Sequence, residues 1–74
     1  MRFIYEGQNL RAVVSPKKDM IKYQRKCYKR HSTWLTFATH RFAESEDELK
    51  ARAVKFVATV EGIPYAQIKE TSEG

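Results

Sequence analysis

The chain has 74 residues, of which 42% are hydrophobic and 31% charged, and its formal net charge is +5. This length predicts one domain with a small core, which favours a binding surface over an enzyme with a deep cleft, and the composition argues against disorder. The sequence lacks an apolar run near the roughly 18 residues of a membrane span, and a strand-like stretch follows Met1 instead of a signal peptide. The single cysteine, Cys27, excludes an internal disulfide, so we expect a protein of the reducing cytoplasm.

The charge is distributed unevenly along the chain. Residues 1 to 43 contain ten lysines and arginines against two acids, whereas residues 44 to 74 contain four against seven acids. Such asymmetry indicates an anionic partner for the basic half, and nucleic acid is the commonest one. The alternative is that the basic residues are simply exposed to water and bind no partner.

The first half of the chain is rich in strand-forming residues. Residues 2 to 5 and 10 to 15 predict two short strands around a turn at Glu6-Gly7-Gln8-Asn9, because Gly and Asn tolerate positive φ. Residues 16 to 19 break the pattern. Two longer strands are expected at about 20 to 30 and 33 to 43.

A helix is predicted at about residues 46 to 61. Ser45 and Glu48 form the pattern of a capping box, and Gly62 followed by Ile63 and Pro64 indicates the C-terminal end. One apolar stripe recurs at helical spacing: Leu49, Ala53, Phe56, Val57 and Val60. Residues 65 to 69 suggest a short edge strand, and the last five residues are expected to fray.

These elements predict a single α+β domain over residues 1 to 74. Its antiparallel sheet has three to four strands, and the helix packs on one face. Pairing Arg30 with Trp34 places the following apolar residues on the helix side: Ile21, Tyr23, Cys27, Leu35 and Phe37.

The opposite face of the sheet is then both cationic and aromatic. Its candidate nucleic-acid-binding residues are Lys22, Gln24, Lys26, Tyr28, Arg30, Trp34, Thr36 and His40, with Phe42 as a further candidate. Lys22, Lys26 and Arg30 are suited to phosphates, and the rings of Tyr28 and Trp34 to stacking on unpaired bases. The alternative for Trp34 is burial in the core, and for Tyr28 a cross-strand contact with Thr36.

The expected order of three strands and a helix over residues 10 to 61 resembles the arm-binding domains of some integrases, in which a sheet enters the major groove. The resemblance implies duplex DNA as a possible target and carries over no functional residue. In that mode Arg30, Lys26, Gln24 and Thr36 would face base edges.

Catalytic and metal sites are not expected. The predicted pairing separates Cys27 from His40, and the acids at residues 46 to 48 are explained by helix capping, so we expect no enzyme, cofactor or metal.

A second class of function is a small inhibitor or adaptor that docks on an acidic protein surface, as phage-encoded anti-host proteins do, with Trp34 as its anchor. The chain is expected to be a monomer or a homodimer, since free strand edges permit pairing.

Overall fold

The protein is an α+β domain in which five antiparallel strands form one sheet and a single helix packs on one face, as a computed structural model describes for residues 2–27, 33–41 and 43–73. The sheet order is β4-β3-β2-β1-β5. The elements are β1 (Arg2–Glu6), β2 (Leu10–Ser15), β3 (Met20–Cys27), β4 (Thr33–Arg41), α1 (Glu46–Glu61) and β5 (Lys69–Glu73). Over the described residues, no helix combines the length and the apolar character needed to cross a membrane.

The predicted antiparallel sheet with one helix is confirmed, but it has five strands instead of three to four, because residues 69 to 73 form a strand where fraying was expected. Residues 65 to 67 form a short turn, and β5 follows it as a neighbour of β1. Opposite charges face each other across this pair, since Arg2 pairs with Glu73 and Glu6 with Lys69. The Tyr5 hydroxyl also donates to Glu70 Oε2 at 2.5 Å. Burial, together with this hydrogen bond to a carboxylate, raises the pKa of Tyr5.

The helix has the predicted bounds and the predicted ends. Ser45 Oγ accepts a hydrogen bond from the backbone N–H of Glu48 at 3.2 Å, as in a capping box. Gly62 takes the left-handed conformation with φ of 66°, and the N–H of Ile63 donates to the carbonyl of Ala58 at 3.1 Å. These contacts satisfy backbone groups that a helix terminus otherwise leaves open.

The core lies between α1 and the sheet. Leu49, Ala53 and Val57 of the predicted stripe are fully buried, and they pack on side chains of β1, β2 and β3: Phe3, Tyr5, Ala12, Val14, Ile21 and Tyr23. Val60 is not part of the core and is 57% exposed. Helical spacing predicts that Val60 lies on the same side of the helix as the buried stripe. It does not predict whether the sheet extends far enough to cover the last turn.

The helix leaves the β4 edge of the sheet uncovered. It packs mainly on β2 and β1, and the ring of Phe56 contacts Tyr23 of β3 at a centroid distance of 4.0 Å. Leu35 and Phe37 of β4 are therefore 43% and 45% exposed, although the sequence indicated that they belong to the core. One helix is too narrow to cover a sheet of this width.

The predicted register between β3 and β4 is also wrong. Trp34 pairs with Lys26, not with Arg30, and Thr36 pairs with Gln24. A bulge then shifts the register, since Tyr23 pairs with Ala38 and Phe37 is the additional residue on β4. Before the bulge the pairing differs from the predicted one by four residues, so the side chains of β4 keep their expected faces. The bulge then moves the β4 residues that follow it to the opposite face.

The turn between β1 and β2 is held by the last residue of the helix. The carboxylate of Glu61 accepts hydrogen bonds from the backbone N–H groups of Gln8 and Asn9, both at 2.7 Å. Gly7 makes room for this contact, because a Cβ atom there would lie 1.7 Å from Glu61 Oε2 and 2.9 Å from Val57 Cγ1.

We predict that Gly7→Ala destabilises the protein by about 1–3 kcal/mol, because the added methyl group displaces the Glu61 carboxylate and crowds Val57. Urea unfolding followed by circular dichroism measures the free energy of unfolding. The same substitution in a Glu61→Ala background should cost less, since the hydrogen bonds of the carboxylate are already lost. Equal costs in both backgrounds would contradict the proposed contact.

Candidate functional site on the helix-free face

The helix-free face is the side of the sheet opposite α1. Residues that pair directly across strands share a face, and Lys22 lies between Ile21 and Tyr23, whose side chains are buried against the helix. Strand pairing therefore places these residues on the helix-free face: Arg2, Ile4, Glu6, Arg11, Val13, Ser15, Met20, Lys22, Gln24, Lys26, Trp34, Thr36, Thr39, Arg41, Lys69, Thr71 and Glu73.

The cations of this face concentrate on three adjacent strands. Arg11 lies on β2, Lys22 and Lys26 on β3, and Arg41 on β4, and we call these four residues the basic surface. The described residues of β2, β3 and β4 include no acid. The acids of the face lie on β1 and β5, so the positive potential is strongest toward β3 and β4.

An apolar floor supports the cations. Ile4, Val13 and Met20 are buried although no helix covers this face. Lys22 pairs with Val13 and Arg41 pairs with Met20, so the aliphatic stems of these long side chains can cover the apolar atoms while their charged ends stay in water.

Three polar side chains form a row across the strands. Arg11 Nε donates to Gln24 Oε1 at 2.6 Å, and Gln24 Nε2 donates to Thr36 Oγ1 at 3.1 Å. The row fixes the orientation of the Gln24 amide. The Arg11 guanidinium can only donate hydrogen bonds, so the amide oxygen of Gln24, and not its nitrogen, must face Arg11.

Trp34 is half-buried on this face between two cations. The Arg11 guanidinium carbon lies 4.6 Å from the centroid of the indole, and Lys26 Nζ lies 5.7 Å from it. Both distances are in the range of cation–π attraction. Trp34 is thus not packed beneath the helix, and the ring is partly covered by Arg11 of the first hairpin.

Partial burial changes the electrostatics of Arg11 without neutralising it. Desolvation lowers the pKa of the guanidinium, whereas the nearby carboxylate of Glu6 raises it. An arginine remains protonated near neutral pH, so the group that lies over Trp34 carries a full positive charge.

His40 does not join the candidate residues, contrary to the sequence prediction. The bulge turns it to the helix side, where it pairs with Ile21 and its Nε2 lies 3.4 Å from Glu44 Oε1. The same carboxylate oxygen is 3.1 Å from Nη2 of Arg52. His40 is therefore part of a polar cluster with Glu44 and Arg52 next to α1.

The structure brings five of the predicted site residues together: Lys22, Gln24, Lys26, Trp34 and Thr36. Tyr28 and Arg30 lie outside the described residues, as does Phe42. The sequence argument missed Arg11 because it left the strand at residues 10 to 15 unpaired. Pairing Ser15 with Met20 across the break would have placed Arg11 opposite Gln24.

Cys27 and His40 are far apart for a different reason from the one expected. Both lie on the helix side, since Cys27 pairs with Thr33 and His40 with Ile21. Six residues of β3 separate these positions, which is about 20 Å in a strand. Within the described ranges, no group of three or more His, Cys, Asp or Glu side chains could hold a metal ion.

Comparison with protein families, curated proteins and solved structures finds no match for this chain. The resemblance to integrase arm-binding domains therefore stays an expectation from the sequence.

We predict that Arg11→Ala exposes Trp34, because the guanidinium shields the indole from water. The emission of this single tryptophan should move to longer wavelength, and quenching by acrylamide should increase. Lys22→Ala is the matched control, since it removes a cation of the same face that lies four residues along β3 from Lys26, the residue paired with Trp34. A Trp34 spectrum that is unchanged in Arg11→Ala would contradict the contact.

Proposed function

We propose that this protein binds nucleic acid without catalysis, through the helix-free face of its sheet. The observation that supports this most directly is the position of Arg11 and Lys26 beside the Trp34 ring, on three strands whose described residues include no acid. The surface is wide and open, which suits an extended polyanion better than a small molecule.

Phosphate contacts provide most of the expected affinity. Lys22 is exposed, and Lys26 and Arg11 lie beside Trp34, so a backbone that crosses β3 would meet several cations in succession. Each neutralised phosphate releases condensed counterions, and the affinity must then fall as salt rises. The apolar floor supports the aliphatic stems of these side chains.

Trp34 and Arg11 together form a platform for an unpaired base. The indole alone offers less open area than the sequence suggested, because the guanidinium lies over it. A planar guanidinium can itself stack on a base, so its position enlarges the platform instead of blocking it. This arrangement supports single-stranded nucleic acid as the preferred form.

Gln24 is the residue best prepared to contact a base edge. Its amide already donates one hydrogen bond and accepts one, which leaves one N–H and one lone pair for a ligand. These remaining groups suit the edge of adenine. The row from Arg11 to Thr36 therefore supports a sequence preference in addition to general affinity.

We predict that Lys22→Glu and Lys26→Glu each weaken binding by about tenfold or more, because a charge-assisted contact to phosphate contributes about 1.5–3 kcal/mol. Fluorescence anisotropy with labelled single- and double-stranded oligonucleotides at several salt concentrations measures the effect. Each substitution should also reduce the slope of log affinity against log salt by about one.

Lys55→Glu is the matched control for charge, since Lys55 is an exposed lysine of α1 on the opposite side of the sheet. It should leave the salt slope nearly unchanged. Binding that is absent at micromolar protein, or that is insensitive to Lys22→Glu and Lys26→Glu, would contradict the proposal. Absent binding together with the capture of one acidic protein would favour the inhibitor or adaptor.

A further inference from the structure

Of the two outer edges of the sheet that the described strands form, the β4 edge is the longer. β4 lies at one end of the strand order and spans nine residues, Thr33–Arg41, with β3 on its inner side. An edge strand presents a row of backbone N–H and C=O groups to solvent, and this row is a template for a further strand.

The two edges of the sheet differ in charge. At the other end of the sheet, β5 carries Lys69, Glu70 and Glu73 among its five residues, as edge strands commonly do to prevent unwanted pairing. The first seven residues of β4, 33 to 39, include no charged residue and no proline. Only the bulge at Phe37 departs from a regular strand there.

Exposed apolar side chains accompany this open edge. Leu35 pairs with Arg25 on the helix side, and the Phe37 ring lies 6.2 Å from that of Phe56 on α1. Both side chains are nearly half exposed because the helix lies over β1 and β2. Leu35 and Phe37 therefore continue the apolar surface of the core to the outer edge of the sheet, where the described residues supply no further strand to cover them.

We propose that two copies of this chain associate through their β4 strands, antiparallel and related by a two-fold axis near Thr36. This register places Leu35 of one copy opposite Phe37 of the other, and the symmetry repeats the contact. The uncharged residues 33 to 39 meet at the centre, so no like charges oppose each other there.

A second copy fits this edge better through β4 than through β5. Pairing β4 with β5 of another copy would place three charged residues along the uncharged residues 33 to 39, and this head-to-tail contact would leave one β4 edge and one β5 edge of the pair open. The symmetric β4 pair closes on itself as a dimer. Its area is limited to one strand edge and a few side chains, so we expect association in the micromolar range.

The symmetric pair would also enlarge the basic surface. A two-fold axis perpendicular to the sheet keeps both helix-free faces on the same side, so the two basic surfaces would adjoin across β4. This consequence rests on the proposed nucleic-acid binding, but the association itself does not. Measuring the oligomeric state of the protein alone therefore separates the two proposals.

Sedimentation velocity over a concentration series from low to high micromolar tests the association. The unmodified chain should pass from monomer to dimer, and Leu35→Glu should weaken the dimer by about tenfold or more because it places a carboxylate opposite Phe37. The monomer should stay folded, since Glu at position 35 faces Arg25 across the strands. Circular dichroism verifies this.

Val60→Glu is the matched control, because it replaces another exposed apolar residue by the same acid at a site away from β4. It should leave the dimer intact. Hydrogen exchange gives a second measurement on the unmodified chain: amides of β4 should become more protected as concentration rises. A monomer at every concentration, a dimer that survives Leu35→Glu, or β4 exchange that is independent of concentration would overturn the proposal.

Discussion

The packing of one helix stripe on one side of the sheet determines the rest of this structure. Leu49, Ala53 and Val57 are fully buried against β1, β2 and β3, which makes that side of the sheet the core. The described residues include no second α-helix to cover the other side. The polar and charged residues that alternate with the core residues therefore face water together, and most of the charged ones are basic.

Local signals were sufficient to predict the helix and most strand positions. Ser45, Glu48 and Gly62 act within one turn of the helix, so their effect can be read from the sequence without knowledge of the tertiary contacts. The fold class followed from the same local patterns. Strand number did not, because β5 depends on pairing with β1, which is distant in sequence.

The register of the central hairpin could not be read from the hydrophobic pattern alone. A shift of four residues preserves the alternation of faces, so hydrophobic patterning cannot distinguish the two pairings. The bulge at Phe37 has no sequence signature here, and it moved His40 from the predicted site to the helix side. Arg11 was missed because its place beside Trp34 depends on the pairing of β2 with β3.

The central claim is that nucleic acid contacts the helix-free face around Trp34. Nuclear magnetic resonance titration of the labelled protein with a short single-stranded oligonucleotide tests it most directly, because every amide reports its own environment. We expect the largest shifts at Arg11, Lys22, Gln24, Lys26 and the indole N–H of Trp34. Shifts concentrated on the exposed residues of α1, with the Trp34 indole signal unmoved, would contradict the account.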